Sequence, residues 1–402
     1  MASQGGSISL RRWIAGCPQL RHIARSWINV LLIFCPVGIG LGVAHAHPIA
    51  VFLTCFPAII PLAGLVSDAT ETISEKQRNR KWLGSFFNAS NATELIISII
   101  ALFQNQTDIT KLSLLGSVFS NLLVVLPTAC IIGAPNFIAQ NFNINSVRTH
   151  TFLLVVGAGI LCLTSSAPTI NSFTSSDVNA LSRVMSITLI LAYVIFIFIY
   201  RLWTHKKELE AEVKPSERRD SSGEKTSLLP IDIQTANPTA QEQSPVTQRT
   251  AIGVLLVATG ITAGVAWFLL ESVSALFNSH SPITRTFLGL IILPILGNVT
   301  EHWTAFTMAK KDKMTDSLDI ALGSALQIQF FVLPAVVIVA WITGVWKPSI
   351  HMDLVFEPWQ TVILFVATVS VKFILEDGST DWLEGFGIFL IFVALATISA
   401  RR

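Results

Sequence analysis

Two glutamates stand where a charged side chain is expensive. Glu94 follows Asn91-Ala92-Thr93 and Glu301 follows Asn298-Val299-Thr300, 207 residues further on, each inside an apolar run of helix length. A carboxylate at the centre of a membrane helix costs roughly 2.5 to 3.5 kcal/mol on insertion scales, so two at matched positions point to an ion path. Neither has a Lys or Arg within two helical turns along the chain. An exchangeable cation or a proton must therefore neutralise each of them. A hard divalent cation takes six to eight oxygens, with negative charge among them, and Ca²⁺ accepts them in irregular geometry. The surrounding residues supply such a set: Glu94 and Glu301 for charge, Asn91, Asn298, Ser117 and Ser324 as neutral oxygens, and Gln327 as an amide where the first copy has Ser120. Taken singly, Ser117, Ser324 and Gln327 fit helix bridging as well as they fit an ion. His302, beside Glu301, has two readings: a proton relay, given an ordinary pKa near 6.5, or a neutral imidazole bonded between helices. Asp68, Glu71 and Glu271, toward the ends of the preceding helices, are candidates for a cation vestibule, although helix-end carboxylates are more often simply solvated.

The elements that position these residues repeat as well. At the same offset and without a gap, Leu115-Gly116-Ser117 falls on Leu322-Gly323-Ser324, and Val125-Leu126-Pro127 falls on Val332-Leu333-Pro334. This predicts two copies of one helix-loop-helix hairpin, the internal symmetry of a secondary transporter whose site lies between repeats near the middle of the bilayer. Gly297 with Pro294 upstream, and Ser90 in the first copy, predict an interruption of each motif helix that turns backbone carbonyls toward an ion.

The chain has 402 residues, 51% hydrophobic and 13% charged, about half the charged share of a soluble domain. That composition predicts an all-α polytopic membrane protein. The net charge of +2 is spread between apolar runs, which argues against nucleic acid as a partner and leaves membrane lipid as the surroundings. The five cysteines show no CxxC or zinc spacing and read as packing residues, and no cofactor is expected. Residues 1–26 form a basic tail. Ala44-His45-Ala46 imitates a cleavage site, but the long basic lead and an apolar run of anchor length favour a retained first span. Spans follow at about 27–44, 48–66 (continuing into the polar turns 67–71), 84–102, 112–132, 150–168 and 181–202. Residues 204–249, rich in Ser, Thr, Glu, Gln, Lys and Pro, read as a disordered linker. Apolar segments at about 250–276, 284–309, 317–344, 356–373 and 382–400 bring the count to about eleven: a single first helix in 27–203 with the first five-helix repeat, and a second repeat in 250–402. An odd-numbered unit enters the membrane from opposite sides in its two copies, giving inverted topology. With a cytosolic amino terminus, 21 of the 27 Lys and Arg fall on the cytosolic side, as the positive-inside rule requires. Asn105-Gln106-Thr107 then lies on the far side as a candidate glycosylation site.

At these motifs the sequence resembles the cation/proton exchangers of the calcium/cation antiporter superfamily, the vacuolar Ca²⁺/H⁺ exchangers of fungi and plants. Asn91-Ala92-Thr93-Glu94-Leu95-Ile96, Leu114-Leu115-Gly116-Ser117 and Ser120-Asn121-Leu122-Leu123 resemble the first repeat of that family. Pro294-Ile295-Leu296-Gly297-Asn298-Val299-Thr300-Glu301-His302 and Leu322-Gly323-Ser324 resemble the second. Departures are Ser90 in place of the usual Gly, Val299-Thr300 in place of two small residues, an additional-looking Thr315-Asp316-Ser317, and a linker of mixed charge where relatives often have an acidic helix. The resemblance implies eleven helices with the first outside two inverted repeats. It also implies a vacuolar membrane, antiport of cytosolic Ca²⁺ or Mn²⁺ against protons, and proton coupling at Glu94 and Glu301. Alternatives are a sodium-driven exchanger of the same superfamily, a passive cation channel and an intramembrane enzyme. The last lacks H-E-x-x-H or any partnered nucleophile.

A polar linker without an apolar run contributes no ligand at mid-bilayer. Deletion of about residues 212–244 is therefore expected to leave a transporter that still cycles. Vesicle uptake by correctly inserted protein checks this, and complete loss of uptake overturns it.

Overall fold

The computed structural model describes residues 27–76, 91–134, 139–170, 173–200, 248–278, 284–347 and 349–402. The basic tail, the 77–81 cluster, Ser90 and linker residues 204–247 lie outside the described residues. A 3₁₀ turn at Trp27–Ile33 leads into α1 (Phe34–Val43). There follow α2 (Pro48–Lys76), α3 (Ala92–Phe103), α4 (Thr107–Gly133), α5 (Ile144–Ser166) and α6 (Ser175–Ile195). The second half holds α7 (Gln248–Asn278), α8 (Leu293–Gly297), α9 (Val299–Lys310), α10 (Met314–Gly344), α11 (Pro358–Ile374) and α12 (Trp382–Ser399). Among the described residues, seven helices are long and apolar enough to cross a membrane by length and composition, and four shorter apolar helices accompany them. Among the described residues the fold is all-α apart from a two-residue antiparallel bridge, β1 (Gln140–Asn141) on β2 (Ser379–Thr380), with Gln140 opposite Thr380. The polar stretch 67–71 lies inside α2, and α7 takes in Gln248 and Arg249, the last two residues of the expected linker.

The repeat extends to backbone geometry. At the offset of 207 residues, α3 and α9 are both 12 residues long, and Asn105 (φ 58°) and Asp312 (φ 57°) both take the left-handed conformation in the turn that follows. Asn and Asp tolerate that region better than other residues with a side chain. Each hairpin then runs through 14 α-helical residues into a five-residue π turn, Asn121–Val125 or Ile328–Val332. The π turns have a local cause. Pro127 and Pro334 stand two residues beyond them, as Pro294 does beyond the π turn Leu288–Ile292. A proline donates no N–H to the carbonyl four residues back and its ring crowds that carbonyl, so a wider turn relieves the clash.

Packing follows from where the apolar faces go. α4 and α10 have 78% and 67% of their most apolar stretches buried, whereas α6, α7 and α12 have 28%, 28% and 22%. The first two are therefore the centre, and the others face outward toward lipid. Equivalent helices of the two halves lie side by side, α2 along α7 and α5 along α11, while α6 packs on the end of α10 and α12 on the end of α4. This exchange is what a twofold axis between repeats generates. α1 packs outside, on α2 and α7, through small residues: Gly38 abuts Cys55 and Gly42 abuts Phe268. Cys35, Cys55 and Cys130 are buried among apolar neighbours. Glycine is required at 116, where an added Cβ would stand 2.3 Å from the Leu290 carbonyl oxygen. That carbonyl is the one Pro294 leaves without its helical donor, and the close approach of the Gly116 Cα–H gives it a partial substitute.

Gly116→Ala is expected to overpack this contact and cost about 1–3 kcal/mol, lowering the thermal midpoint in detergent. Gly159→Ala, where an added Cβ meets nothing within 4 Å, is the control. Equal midpoints for the two variants would remove the close-approach argument.

Candidate cation site

Both motif helices begin at an asparagine in the same bridge region of backbone space. Asn91 has φ −97° and ψ 10°, and Asn298, between α8 and α9, has φ −99° and ψ 15°. The interruption is one residue long. Asn298 N–H still donates to Pro294 O at 3.1 Å, and Asn298 O accepts from His302 N–H at 3.0 Å. The expected interruption of the second motif helix is thus present at Asn298, with the chain helical on either side and the Asn298 carbonyl keeping its helical donor. Neither asparagine caps its own helix with its side chain, so both amides are left for other partners.

Glu94 and Glu301 occupy the third position of α3 and α9, in the first turn, where the positive end of the helix dipole favours a negative charge. Each is only 7% exposed. Glu94 Oε2 is buried without a hydrogen-bond partner among the described residues, and the like charge of Glu301 acts on it. Beside Glu94 lies a cavity of about 30 Å³, lined by Ser117, Ser113, Gly297 and apolar side chains of α2, α3, α7 and α8. A water or a bare ion fits such a volume.

The neutral oxygens divide unequally between the two halves. The Asn91 amide is fully engaged: Nδ2 donates to Gln327 Oε1 at 3.0 Å and Ser324 O at 3.4 Å, and Oδ1 accepts from the Ser324 hydroxyl at 2.9 Å. Asn298, equally buried, has no hydrogen-bond partner at either amide atom among the described residues. The structure thus brings Asn91, Ser324 and Gln327 together as a bridge between halves, and leaves Asn298, Glu94 and Ser117 with oxygens free to meet a cation. Sequence reasoning missed Asn121. Its Nδ2 donates to the Ser324 hydroxyl and to Ser117 O, both at 3.1 Å, and its Oδ1 is buried without a partner. The repeat equivalent of Asn121 is Ile328, so the internal comparison that exposed the other residues gave no signal there. Thr93, inside the first motif, likewise has a buried hydroxyl without a partner.

His302 is buried, with Nε2 3.1 Å from the Ser120 hydroxyl. It joins α9 to α4, which is the bridging geometry. α2 and α7 run antiparallel, since the first half of one and the last half of the other wall the same cavity, so the exposed Asp68 and Glu271 lie toward opposite ends of the pair. Glu71 lies in α2, with its side chain outside the described residues.

Asn91→Ala and Asn121→Ala each remove a hydrogen bond to Ser324, which is expected to cost about 1 kcal/mol apiece. Because they share that hydroxyl, the double variant is expected to fall short of the sum by at least about 0.5 kcal/mol. Asn298→Ala, with no bond to lose, is expected to leave the thermal midpoint undiminished. Additive losses for Asn91 and Asn121 would contradict the shared network.

With this geometry in view, the comparisons with known proteins are specific. Residues 47–201 and 250–401 match the family described as sodium/calcium exchanger protein, leaving a gap at the linker. A Ca²⁺/H⁺ antiporter of Synechocystis is 34% identical over 374 residues, covering 91% of this chain and 95% of that protein. A vacuolar calcium ion transporter of Schizosaccharomyces pombe is 31% identical over 377 residues, covering 91% of this chain and 83% of that protein. Among solved structures, native YfkE superimposes with a TM-score of 0.70 at 26% identity, covering 92% of this chain and all of that one. Two halves of matching backbone, each presenting a buried Asn-x-x-Glu, are therefore those of a relative of these transporters, and the chain belongs to the sodium/calcium exchanger protein family.

Proposed function

We propose that the protein is a secondary antiporter that moves cytosolic Ca²⁺ into an acidic organelle, the vacuole, in exchange for protons. The observation that carries this reading is the pair of buried carboxylates, Glu94 and Glu301, at matched positions of repeat-related helices, with a small cavity beside Glu94. When Ca²⁺ is bound, both must be ionised. When it leaves, two bare charges facing each other in a low-dielectric site are costly, and protons take its place. That substitution is the coupling. Protons displace Ca²⁺ on the acidic side and dissociate on the near-neutral side. Raising Ca²⁺ a thousandfold costs about 4.1 kcal/mol, and one proton moving down two pH units returns roughly 2.7 kcal/mol, so at least two protons are needed before any voltage contribution. Two glutamates match that demand.

The ligands we assign are Glu94, Glu301, Asn298 and Ser117. Asn91, Ser324 and Gln327 enter the shell only if their mutual bonds open. A sodium-driven exchanger would need further charged oxygens, and the relatives named as Ca²⁺/H⁺ antiporters or vacuolar cation/proton exchangers favour the proton. The topology that goes with this reading is eleven spans, with the amino terminus and the linker cytosolic and α1 peripheral to two inverted repeats.

The test is Ca²⁺ uptake into vesicles with an acid interior and no Na⁺ or K⁺. Uptake is expected to collapse with a protonophore. Glu94→Gln and Glu301→Gln are each expected to abolish it without loss of insertion, since the amide keeps the shape and removes the charge. Uptake that ignores the pH gradient and demands sodium would promote the alternative. Normal uptake by either Gln variant would remove the site.

A further inference from the structure

We infer that Ser113 is an outer oxygen ligand on the ion's route between the carboxylates and the face of the protein that carries the Gln104–Gln106 turn. This rests on the antiport reading above and adds the side on which the described site is open. The cavity beside Glu94 does not extend equally in both directions. Ser113 is one helical turn, about 6 Å, from Ser117 toward the start of α4. Ile97 is one turn from Glu94 toward the end of α3, and Leu293 one turn from Gly297 toward the start of α8. The other wall residues, Phe56 and Ile59 of α2 and Leu269 and Leu270 of α7, come from the halves of those helices on the same side. All of these displacements agree in direction, so the cavity points to one face.

Along that direction the collar is apolar except for Ser113. Its hydroxyl has no hydrogen-bond partner among the described residues, whereas Thr110, one turn earlier on the same helix, is committed to Gln106 O at 3.0 Å. A cation leaving Glu94 through hydrocarbon side chains needs an oxygen to replace the ones it gives up, and a free hydroxyl one turn out is placed to supply it. The opposite route is not built this way. The repeat equivalent of Ser113 is Ile320, and Thr304, the equivalent of Ile97, is exposed with its hydroxyl committed to Thr300 O at 2.9 Å. The Asn91–Ser324–Gln327 and Asn121 bonds hold that half of the site together.

The test is sided chemical labelling of Ser113→Cys in sealed vesicles with a membrane-impermeant thiol reagent, wild type serving as the blank for the native cysteines. Asp108→Cys and Asp316→Cys, both exposed on opposite turns, mark the two faces. Ser113→Cys is expected to react from the Asp108→Cys side only, with Ca²⁺ slowing the reaction at least about fivefold. Ser113→Ala is expected to raise the half-saturating Ca²⁺ on that side about threefold, the loss of one neutral ligand, and Ser113→Thr to restore it. Reaction from the Asp316→Cys side, labelling indifferent to Ca²⁺, or an unchanged half-saturation in Ser113→Ala each overturns the assignment. If the cysteine variant fails to insert, the Ala and Thr pair decides. Failure here alongside inactive Glu94→Gln removes Ser113 and leaves the antiport reading standing.

Discussion

The structure is governed by the need to hold two carboxylates deep in the protein, where charge is expensive. Most of what surrounds Glu94 and Glu301 reduces that cost without cancelling it. Each sits in the first turn of a helix, so backbone N–H groups and the dipole meet the charge. Each helix is supported by a long buried hairpin arm, α4 or α10, which sets the carboxylates deep in the protein. A fixed Lys or Arg would have solved the electrostatic problem permanently, and it would have excluded a transported ion. A carboxylate pair with no Lys or Arg within two turns along its own helices has a charge state that depends on what arrives.

Repetition supplies the matched geometry, and its failures supply the differences. The paired asparagines, the left-handed Asn105 and Asp312, and the π turns ahead of Pro127 and Pro334 agree position for position. Side chains obey the symmetry less strictly. One asparagine is locked by Ser324 and Gln327 while the other is unbonded. The loops at the membrane faces also differ. Near α4 and α6, Lys111 pairs with Asp353 and donates to Val355 O at 2.9 Å, and Leu354 N–H donates to Ser182. On the other face, Gln140 spans Ala309 O and Asp312. Phe142 N–H donates there to Gly378 O, and Gly378 is the residue that accepts φ 85°.

Much of this was legible in the sequence because a repeat is its own alignment. Asn91, Glu94, Ser117 and their partners announced themselves by recurring 207 residues on, and apolar runs located the helices, although α5 and α6 each start six residues earlier than the runs. What escaped was whatever the second copy lacks. Asn121 faces Ile328 across the repeat and Ser113 faces Ile320, so neither stood out from ordinary polar residues in a helix. Division of labour was hidden for a different reason. Asn91 and Asn298 sit in the same motif, and only the arrival of Ser324 and Gln327 from over two hundred residues away tells them apart. The brevity of the helix break was also invisible, since Gly297 and Pro294 permit an unwound stretch as readily as the single residue found.

The inequality of the two halves bears on direction. A carrier whose inner and outer routes are lined differently runs faster one way than the other at equal driving force, much as a leaky valve does. It cannot, however, change where the process stops. The ratio of ion concentrations at stall is fixed by stoichiometry, proton gradient and voltage alone, since a catalyst of exchange adds no free energy of its own. Thus Ile320 and Ser113 can be rebuilt by mutation to alter speed or preferred direction, and the steady limit of accumulation stays where the gradients put it.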